Sequence, residues 1–211
     1  MASFTYSDKY KFTQKWFDPF MDKWEQIFLS YGKTTYDKIE RILEIGAYEG
    51  RSTVWLCEYL LKDNENLNYT ATDSWQGMDV NGKIDKSKIE HYKSVYNNFL
   101  HNTSFFNEVN FNYIKGFSQF VLPKLYQEGN KYDFIYVDAS HEADDTFVNG
   151  YYSHRMLNPG GIIIFDDFGW KQKDRPHPLH SPELGIQTFF TMYGESYNII
   201  DQGYQISAIK K

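Results

Sequence analysis

The sequence has a single cysteine, no long hydrophobic run and no excess of positive charge. One cysteine excludes an internal disulfide, and because Cys57 lies in an apolar helical pattern we interpret it as a buried structural thiol rather than a nucleophile. No window reaches the roughly 20 apolar residues that a membrane-spanning helix requires, and no basic segment followed by an apolar one opens the chain. We therefore expect a soluble, cytoplasmic protein that does not enter a membrane.

Basic residues are too few for a surface that follows a nucleic-acid backbone. The 22 Lys and Arg residues are outnumbered by 28 Asp and Glu residues, which gives a formal net charge of -6. Aromatic residues reach 19%, but a stacking platform for bases would also need basic residues between them. We interpret the aromatic content as core packing, and we do not expect nucleic acid as a partner.

The pattern of apolar residues divides the chain near residue 40. Residues 11–31 carry apolar side chains at helical intervals, and Pro19 is expected to kink or divide that helix. We interpret residues 1–40 as an N-terminal helical addition that packs against the core, with a lid over a substrate as the alternative. Residues 41–211 are expected to form the main domain.

From residue 41 onward, short apolar runs alternate with helical patterns. A helix near 183–194 is followed by two apolar runs around Asp201-Gln202-Gly203, a spacing that suits a hairpin. This order predicts an α/β fold: a Rossmann-like, seven-stranded, mostly parallel sheet with helices on both faces and a C-terminal antiparallel hairpin. The predicted strands are 42–45, 69–72, 111–114, 134–137, 162–165, 197–200 and 204–209, and the other predicted helices are 51–62, 87–101, 117–128 and 143–157.

The loop Glu44–Gly50 joins the first predicted strand to a helix. Gly46 allows the chain to turn close to a ligand, and Gly50 opens the helix, which indicates a nucleotide-like ligand. Ordinary strand-to-helix turns also use two glycines, whereas a dinucleotide site would prefer three. Glu44 needs a donor because it ends an apolar strand, and Asp73 ends the next strand, where an acid binds ribose hydroxyls in nucleotide-binding sheets.

Several motifs in this order resemble known methyltransferases. Leu43-Glu44-Ile45-Gly46-Ala47-Tyr48-x-Gly50-x-Ser52 is similar to the cofactor loop of the catechol O-methyltransferase group, and Gly116-Phe117-Ser118-Gln119 resembles that group's segment beside adenine. Asp73-Ser74-Trp75-Gln76-Gly77 and Gly203-Tyr204-Gln205-Ile206 look more like sugar and macrolide O-methyltransferases. The resemblance covers roughly residues 41–211 and implies a class I O-methyltransferase that uses S-adenosyl-L-methionine (SAM).

The resemblance also assigns the cofactor contacts. The donor to Glu44 would be the ammonium group of SAM or backbone amides of the loop. The residues expected to hold SAM are Glu44, Gly46, Ala47, Tyr48, Gly50, Ser52, Asp73, Ser74, Trp75, Gly116, Phe117, Ser118, Gln119 and Asp138.

Three carboxylates follow the fourth and fifth predicted strands. Asp138 ends the fourth, and Asp166 and Asp167 end the fifth, at the edge where open α/β sheets bind ligands. Adjacent carboxylates repel when both are ionised, and a divalent cation such as Mg²⁺ would relieve that repulsion. In the resembling metal-dependent family the metal ligands fall at these three positions. The alternative is that these side chains cap the strand or accept hydrogen bonds from the loop.

His141 is the first candidate for the catalytic base. It follows Asp138 by three residues, at a position where the resembling catechol-type family carries a lysine, and neutral imidazole can accept a hydroxyl proton. Asp138 is the second candidate, and a surface histidine without a catalytic role is the alternative for His141. His177 and His180 lie in a later loop, where a substrate-contacting or rigid loop is favoured over zinc because no cysteine is near.

These features predict methyl transfer from SAM to a hydroxyl of a small molecule. The motif around Asp73 favours a sugar of a glycan or glycoside, and the loop around Gly46 favours a catechol. An NAD-dependent oxidoreductase on a similar sheet stays open, although a third glycine is missing and the terminal hairpin is unexpected for it. A non-catalytic nucleotide-binding module is the third alternative. The expected partners are the small-molecule or glycan acceptor and a second copy of the chain.

Overall fold

The computed structural model describes residues 4–35, 39–60, 64, 66–77, 84–106, 110–171, 173 and 177–211. The strands are β1 Arg41–Ile45, β2 Asn68–Asp73, β3 Asn110–Lys115, β4 Tyr132–Val137, β5 Leu157–Phe165, β6 Tyr197–Gln202 and β7 Ile206–Lys210. The helices are α1 Met21–Thr35, α2 Arg51–Trp55, α3 Ile89–Thr103, α4 Ser118–Gln127, α5 Ala143–Met156 and α6 Pro182–Tyr193. In the described part of the chain, no helix is long and apolar enough to cross a membrane.

The seven strands form one sheet in the order β3-β2-β1-β4-β5-β7-β6. The first five strands pair in parallel, and β7 pairs antiparallel with both β5 and β6. The predicted mostly parallel sheet with a terminal hairpin is therefore confirmed. The chain changes direction across the sheet between β1 and β4, and a parallel sheet binds ligands at such a switch point.

Helices cover both faces of the sheet. Trp24 of α1, Trp55 of α2 and Phe99 of α3 belong to the core cluster on one face. Helices α4, α5 and α6 contribute to the cluster on the other face. Because β1, β4 and the second half of β5 are covered on both sides, most of their residues are apolar.

The N-terminal region differs from the prediction. The helix predicted over residues 11–31 does not begin before Pro19, which lies in a 3₁₀ turn at Asp18–Phe20, and α1 starts at Met21. Proline lacks a backbone N–H and suits the first turn of a helix, so it marks the start of α1 rather than a kink inside it. Trp24 is fully buried against the Tyr136 ring at 4.7 Å, so α1 completes the core. The domain boundary near residue 40 stays a prediction.

Two other predicted segments end elsewhere. α2 continues as a π-helical turn at Leu56–Leu60, and the last two residues of the predicted helix 51–62 lie outside the described residues. The predicted hairpin turn at 201–203 is wrong, because Asp201 pairs with Ser207 and the connection lies at 203–205. The β6–β7 register is irregular between Ile199 and Asp201, where β6 has one residue more than β7.

Candidate active site

The five parallel strands end at the same edge, and backbone hydrogen bonds join the ends of neighbouring strands. The Gly46 N–H donates to Thr72 O at 2.7 Å, and the Asp138 N–H donates to Ile45 O at 2.8 Å. The Asp166 N–H donates to the carbonyl at the end of β4 at 2.9 Å. The predicted cofactor loop and the predicted carboxylates therefore share one edge of the sheet, around the switch point between β1 and β4.

The cofactor loop depends on backbone conformations that side chains disfavour. Gly46 has φ +97°, and a Cβ atom there would come within 1.7 Å of the Asp138 carbonyl oxygen, so no other residue fits. Gly50 has φ +77°. Tyr48 has φ +48°, which costs roughly 1–2 kcal/mol for a residue with a side chain. Ala47 is buried between these positions and accepts a hydrogen bond from the Gly50 N–H at 2.7 Å.

Asp73 ties the end of β2 to the cofactor loop. Its Oδ2 accepts from the Tyr48 N–H at 2.9 Å, and its Oδ1 accepts from the Trp75 N–H at 2.7 Å. Burial raises the pKa of this carboxyl group, while the backbone donors oppose that shift. Trp75 is buried against Phe99 and donates through Nε1 to Tyr48 O at 2.8 Å. Ser74 bonds locally to Gln76 O at 2.9 Å. Ribose binding by Asp73 stays a prediction.

Glu44 is buried and holds three hydroxyl groups. It accepts from Tyr69 Oη at 2.8 Å and, at shorter range, from the hydroxyls of Ser52 and Thr53. Burial is the largest influence on its carboxyl group and raises the pKa to about 7. The sequence predicted an ammonium group or backbone amides as donors, whereas the described donors are side-chain hydroxyls. Glu44 and Ser52 thus join β1 to α2, and their contact with a cofactor stays a prediction.

The predicted adenine segment lies beside Asp73. The Gly116 N–H donates to Asp73 O at 2.9 Å, and Ser118 begins α4. Gln119 donates to Asp145 Oδ1 at 3.4 Å, and Phe117 is half-buried. These four residues therefore lie at the same edge as the cofactor loop, as the order of the motifs predicted.

Tyr136 connects two of the predicted carboxylates. Its hydroxyl lies 3.1 Å from Asp138 Oδ2 and still closer to Asp166 Oδ2. A phenol carries one proton, so it donates to one carboxylate at a time and the second contact requires a proton on a carboxyl group. Burial, followed by repulsion between the carboxylates, raises the pKa of Asp138 well above its usual range and that of Asp166 to about 6. No sequence motif indicated this role for Tyr136.

Asp167 pairs with His141. Its Oδ2 lies 2.7 Å from His141 Nε2, and its Oδ1 accepts from Tyr204 Oη at 2.8 Å. Asp167 has φ +58°, unlike Asp166, and it makes different contacts. The His141 ring lies 4.5 Å from the Trp170 ring, and its side chain is 47% exposed. The contact of Tyr204 with Asp167 was missed because only the folded chain brings the hairpin beside β5, and Trp170, in the loop after β5, was not singled out.

The geometry does not support the predicted metal site. Among the residues that the structure describes, no three His, Cys, Asp or Glu side chains are grouped as a metal ion requires. Asp166 accepts from Tyr136 and from the Asp167 N–H at 2.7 Å, and Asp167 contacts His141 and Tyr204. The carboxylates of Asp138, Asp166 and Asp167 are thus arranged for protein donors. Metal dependence stays a prediction that this arrangement does not favour.

The predicted histidine loop is also held by protein contacts. His180 Nδ1 lies 2.6 Å from Glu142 Oε2, and His177 Nδ1 accepts from the Leu179 N–H at 3.2 Å. These contacts are compatible with the preferred interpretation of a rigid or substrate-contacting loop rather than a zinc site.

The comparisons with known proteins agree with this architecture. A family model described as "Methyltransferase domain" matches residues 43–168, which is more than half of the chain. The chain therefore belongs to this family of methyltransferase domains. No curated protein matches its sequence.

Three solved structures illustrate the shared fold. The O-methyltransferase TomG from Streptomyces achromogenes, in complex with SAM, is 18% identical with a TM-score of 0.59, over 89% of this chain and 80% of that one. A Bacillus cereus O-methyltransferase with S-adenosylhomocysteine (SAH) is 17% identical with a TM-score of 0.58, over 94% and 93%. MycE from the mycinamycin pathway, in complex with Mg, SAH and mycinamycin VI, is 18% identical with a TM-score of 0.55, over 96% and 51%. The predicted class I methyltransferase fold is confirmed.

Proposed function

We propose that this protein transfers the methyl group of SAM to a hydroxyl group of a small molecule, with His141 as the base. The observation that carries the proposal is the His141–Asp167 pair, which lies at the sheet edge that also carries the cofactor loop. SAM would occupy the loop around Gly46, with its ribose toward Asp73 and its adenine toward Gly116–Gln119. TomG and the Bacillus cereus enzyme bind SAM and SAH on the same fold.

The reaction requires one proton acceptor and precise alignment. The acceptor oxygen forms a bond to the methyl carbon as the bond from that carbon to sulfur breaks, and the sulfonium becomes a neutral thioether. His141 Nδ1 takes the hydroxyl proton, because Nε2 is directed at Asp167. Asp167 then stabilises the imidazolium, and Tyr204 holds Asp167 in place. Binding supplies the proximity and orientation on which most of the rate depends.

The proposed acceptor is a sugar hydroxyl of a glycan or glycoside. Two motifs support this choice, since Asp73-Ser74-Trp75 and Tyr204-Gln205 resemble sugar and macrolide O-methyltransferases. A catechol is the second candidate. Protein donors already contact the carboxylates of Asp138, Asp166 and Asp167. This arrangement favours a sugar hydroxyl, which needs a side-chain base, over a catechol, whose two oxygens would bind a metal.

Calorimetry and a transfer assay test the proposal together. We expect SAM and SAH to bind and NAD not to bind. With SAM labelled in its methyl group, we expect label in methyl glycosides or macrolide glycosides rather than in catechol, and we expect transfer to persist after treatment with EDTA. Binding of NAD without SAH would overturn the methyltransferase assignment. If only catechol is methylated and EDTA abolishes the reaction, the choice of a sugar acceptor is wrong and the predicted metal site is supported.

A further inference from the structure

The first described residues of the chain form a strap that lies across the cofactor loop. We define the N-terminal strap as residues 4–20, which precede α1 and lie outside the residues matched by the family model. The strap contacts two helices: the Tyr6 hydroxyl donates to Arg51 O of α2 at 2.9 Å, and Lys9 O lies 2.8 Å from His101 Nε2 of α3. At its far end, Phe20 stacks on the Tyr204 ring at 5.5 Å. The strap thus extends from the cofactor loop to the His141–Asp167 pair.

Glu49 of the cofactor loop is bound by the strap. This side chain is only 2% exposed, and its carboxylate accepts from the Thr13 N–H at 2.7 Å and from Thr13 Oγ1 at 2.9 Å. Asn98 of α3 donates to the same carboxylate at 2.9 Å. Two of these three donors come from one strap residue. A buried carboxylate requires such donors, so the loop position of Glu49 depends on the strap.

Asn102 of α3 links the strap to the backbone of the same loop. Its amide is fully buried, accepts from the Lys11 N–H at 2.7 Å, and donates to Lys11 O at 2.9 Å and Glu49 O at 2.8 Å. The Asn102 side chain therefore hydrogen-bonds to the strap and to the cofactor loop at the same time.

Arg51, at the start of α2, is enclosed by the strap. Its guanidinium group makes a two-point contact with Asp18, with Nη2 2.7 Å from Oδ2. The same group lies over the rings of Tyr6 at 4.2 Å and Phe12 at 4.7 Å. Charge-assisted, two-point contacts of this kind are geometrically specific. The strap thus fixes the residue that follows Gly50.

The loop conformation requires such support. Tyr48 has a positive φ, which is unfavourable for a residue with a side chain, and such a conformation persists only where its surroundings determine it. The strap contacts Tyr48 through the Trp16 ring at 5.2 Å, and it binds Glu49 and Arg51 as described above. Three of the four residues Tyr48–Arg51 are therefore held by side chains or backbone groups of the strap.

We propose that the N-terminal strap holds the cofactor loop in its binding conformation, with Thr13 and Asp18 as positioning residues that act through Glu49 and Arg51. Cofactor binding and strap docking are then coupled, and the coupling is reciprocal because each stabilises the same loop conformation. This inference rests on the proposed function, since it assigns SAM to that loop.

The first experiment measures the Kd of SAH by calorimetry for wild type and for the double variant Thr13→Val, Asp18→Asn. We expect SAH to bind about tenfold more weakly, within the range of roughly 5- to 150-fold that couplings between sites span. The KM for SAM should rise similarly, and kcat at saturating SAM should change less than about twofold. Thr13→Ser retains the hydroxyl and should bind SAH as wild type does. The control Lys23→Met on α1 breaks only the ion pair with Asp201 of β6 and should leave the Kd unchanged.

The second experiment uses the wild-type protein alone. Lys9, Lys11 and Lys15 are trypsin sites within the strap, and cleavage there requires the strap to detach locally. We expect saturating SAH to slow cleavage at these sites more than cleavage after Lys131, an exposed site just before β4 at the opposite edge of the sheet; mass spectrometry follows both. If wild type binds SAH but neither the Kd of the double variant nor strap cleavage responds, the coupling is absent. If wild type does not bind SAH, the proposed function itself fails.

Discussion

The carboxyl edge of the sheet divides into two parts, which we name after the proposed function: a cofactor half at the ends of β1, β2 and β3, and an acceptor half at the ends of β4 and β5. Backbone groups shape the cofactor half: Gly46 approaches the Asp138 carbonyl, and Asp73 accepts from two backbone amides. Side chains shape the acceptor half, where His141, Asp167 and Tyr204 form one chain of contacts. A backbone-shaped site depends on glycines at fixed positions, whereas a site shaped by side chains depends on residues far apart in the sequence.

The strongest test of this difference is the substitution Gly46→Ala. A Cβ atom at φ +97° would lie 1.7 Å from a backbone oxygen, so β1 and β4 would have to separate. Strain and overpacking of about 2 to 5 kcal/mol in total should weaken SAH binding by about 30-fold or more. Calorimetry and thermal unfolding give the measurement. Gly194→Ala is the matched control, because its Cβ would meet nothing within 4 Å. Normal SAH affinity in Gly46→Ala would show that the close approach is not needed.

In the acceptor half, His141→Ala should remove the base. We expect kcat to fall by about 10²- to 10⁴-fold, the usual contribution of general base catalysis, while the Kd of SAH stays unchanged. Asp167→Asn should reduce kcat less, and the double variant should be no slower than His141→Ala because the two residues act as one unit. Additive losses would instead place Asp167 in a separate role, such as metal binding.

Tyr204→Phe should have a smaller effect. It removes the hydroxyl that donates to Asp167 but retains the ring that stacks on Phe20. Since a hydrogen bond to a charged group contributes about 1.5–3 kcal/mol, of which only a part reaches the transition state, we expect kcat to fall by about tenfold. Initial rates at saturating SAM provide the measurement. Tyr126→Phe on α4 is the control, and equal rates in both variants would remove Tyr204 from the site.

Most of the fold could be predicted because it follows from short-range patterns. The buried parts of β1, β4 and β5 are rich in apolar residues, the Gly46 loop follows β1, and Asp73 ends β2 one βα unit later. The start of α1 was misplaced because the apolar spacing continues across Pro19, although the chain before it contacts α2 and α3 instead of forming a helix.

For the acceptor half, the sequence predicted which residues are present but not which of them contact one another. His141, Asp166 and Asp167 were identified, but the sequence favoured metal ligands where the structure pairs Asp167 with His141. That pairing depends on the φ +58° of Asp167 and on Tyr204, which the β6–β7 hairpin brings to the site. Neither a backbone angle nor a contact across 37 residues leaves a local signal in the sequence.

Glu44 in the cofactor half is held by side-chain hydroxyls rather than by backbone amides, and its titration gives the smallest of the expected effects. Burial raises its pKa from 4.5 to about 7 in the folded protein. The folded state therefore keeps this proton at pH values where the unfolded chain has lost it, so the contribution of Glu44 to stability is fully present below about pH 4.5 and is lost as the pH rises toward 7.

Glu44→Gln cannot titrate, so its free energy of unfolding relative to wild type should increase between pH 5 and pH 7.5, as measured by urea denaturation. Glu90→Gln, which removes an exposed carboxylate on α3, is the control. A difference between Glu44→Gln and wild type that does not change with pH would mean that Glu44 stays ionised in the folded protein. The surrounding hydroxyl groups would then be sufficient to stabilise its charge without a charged donor from a cofactor.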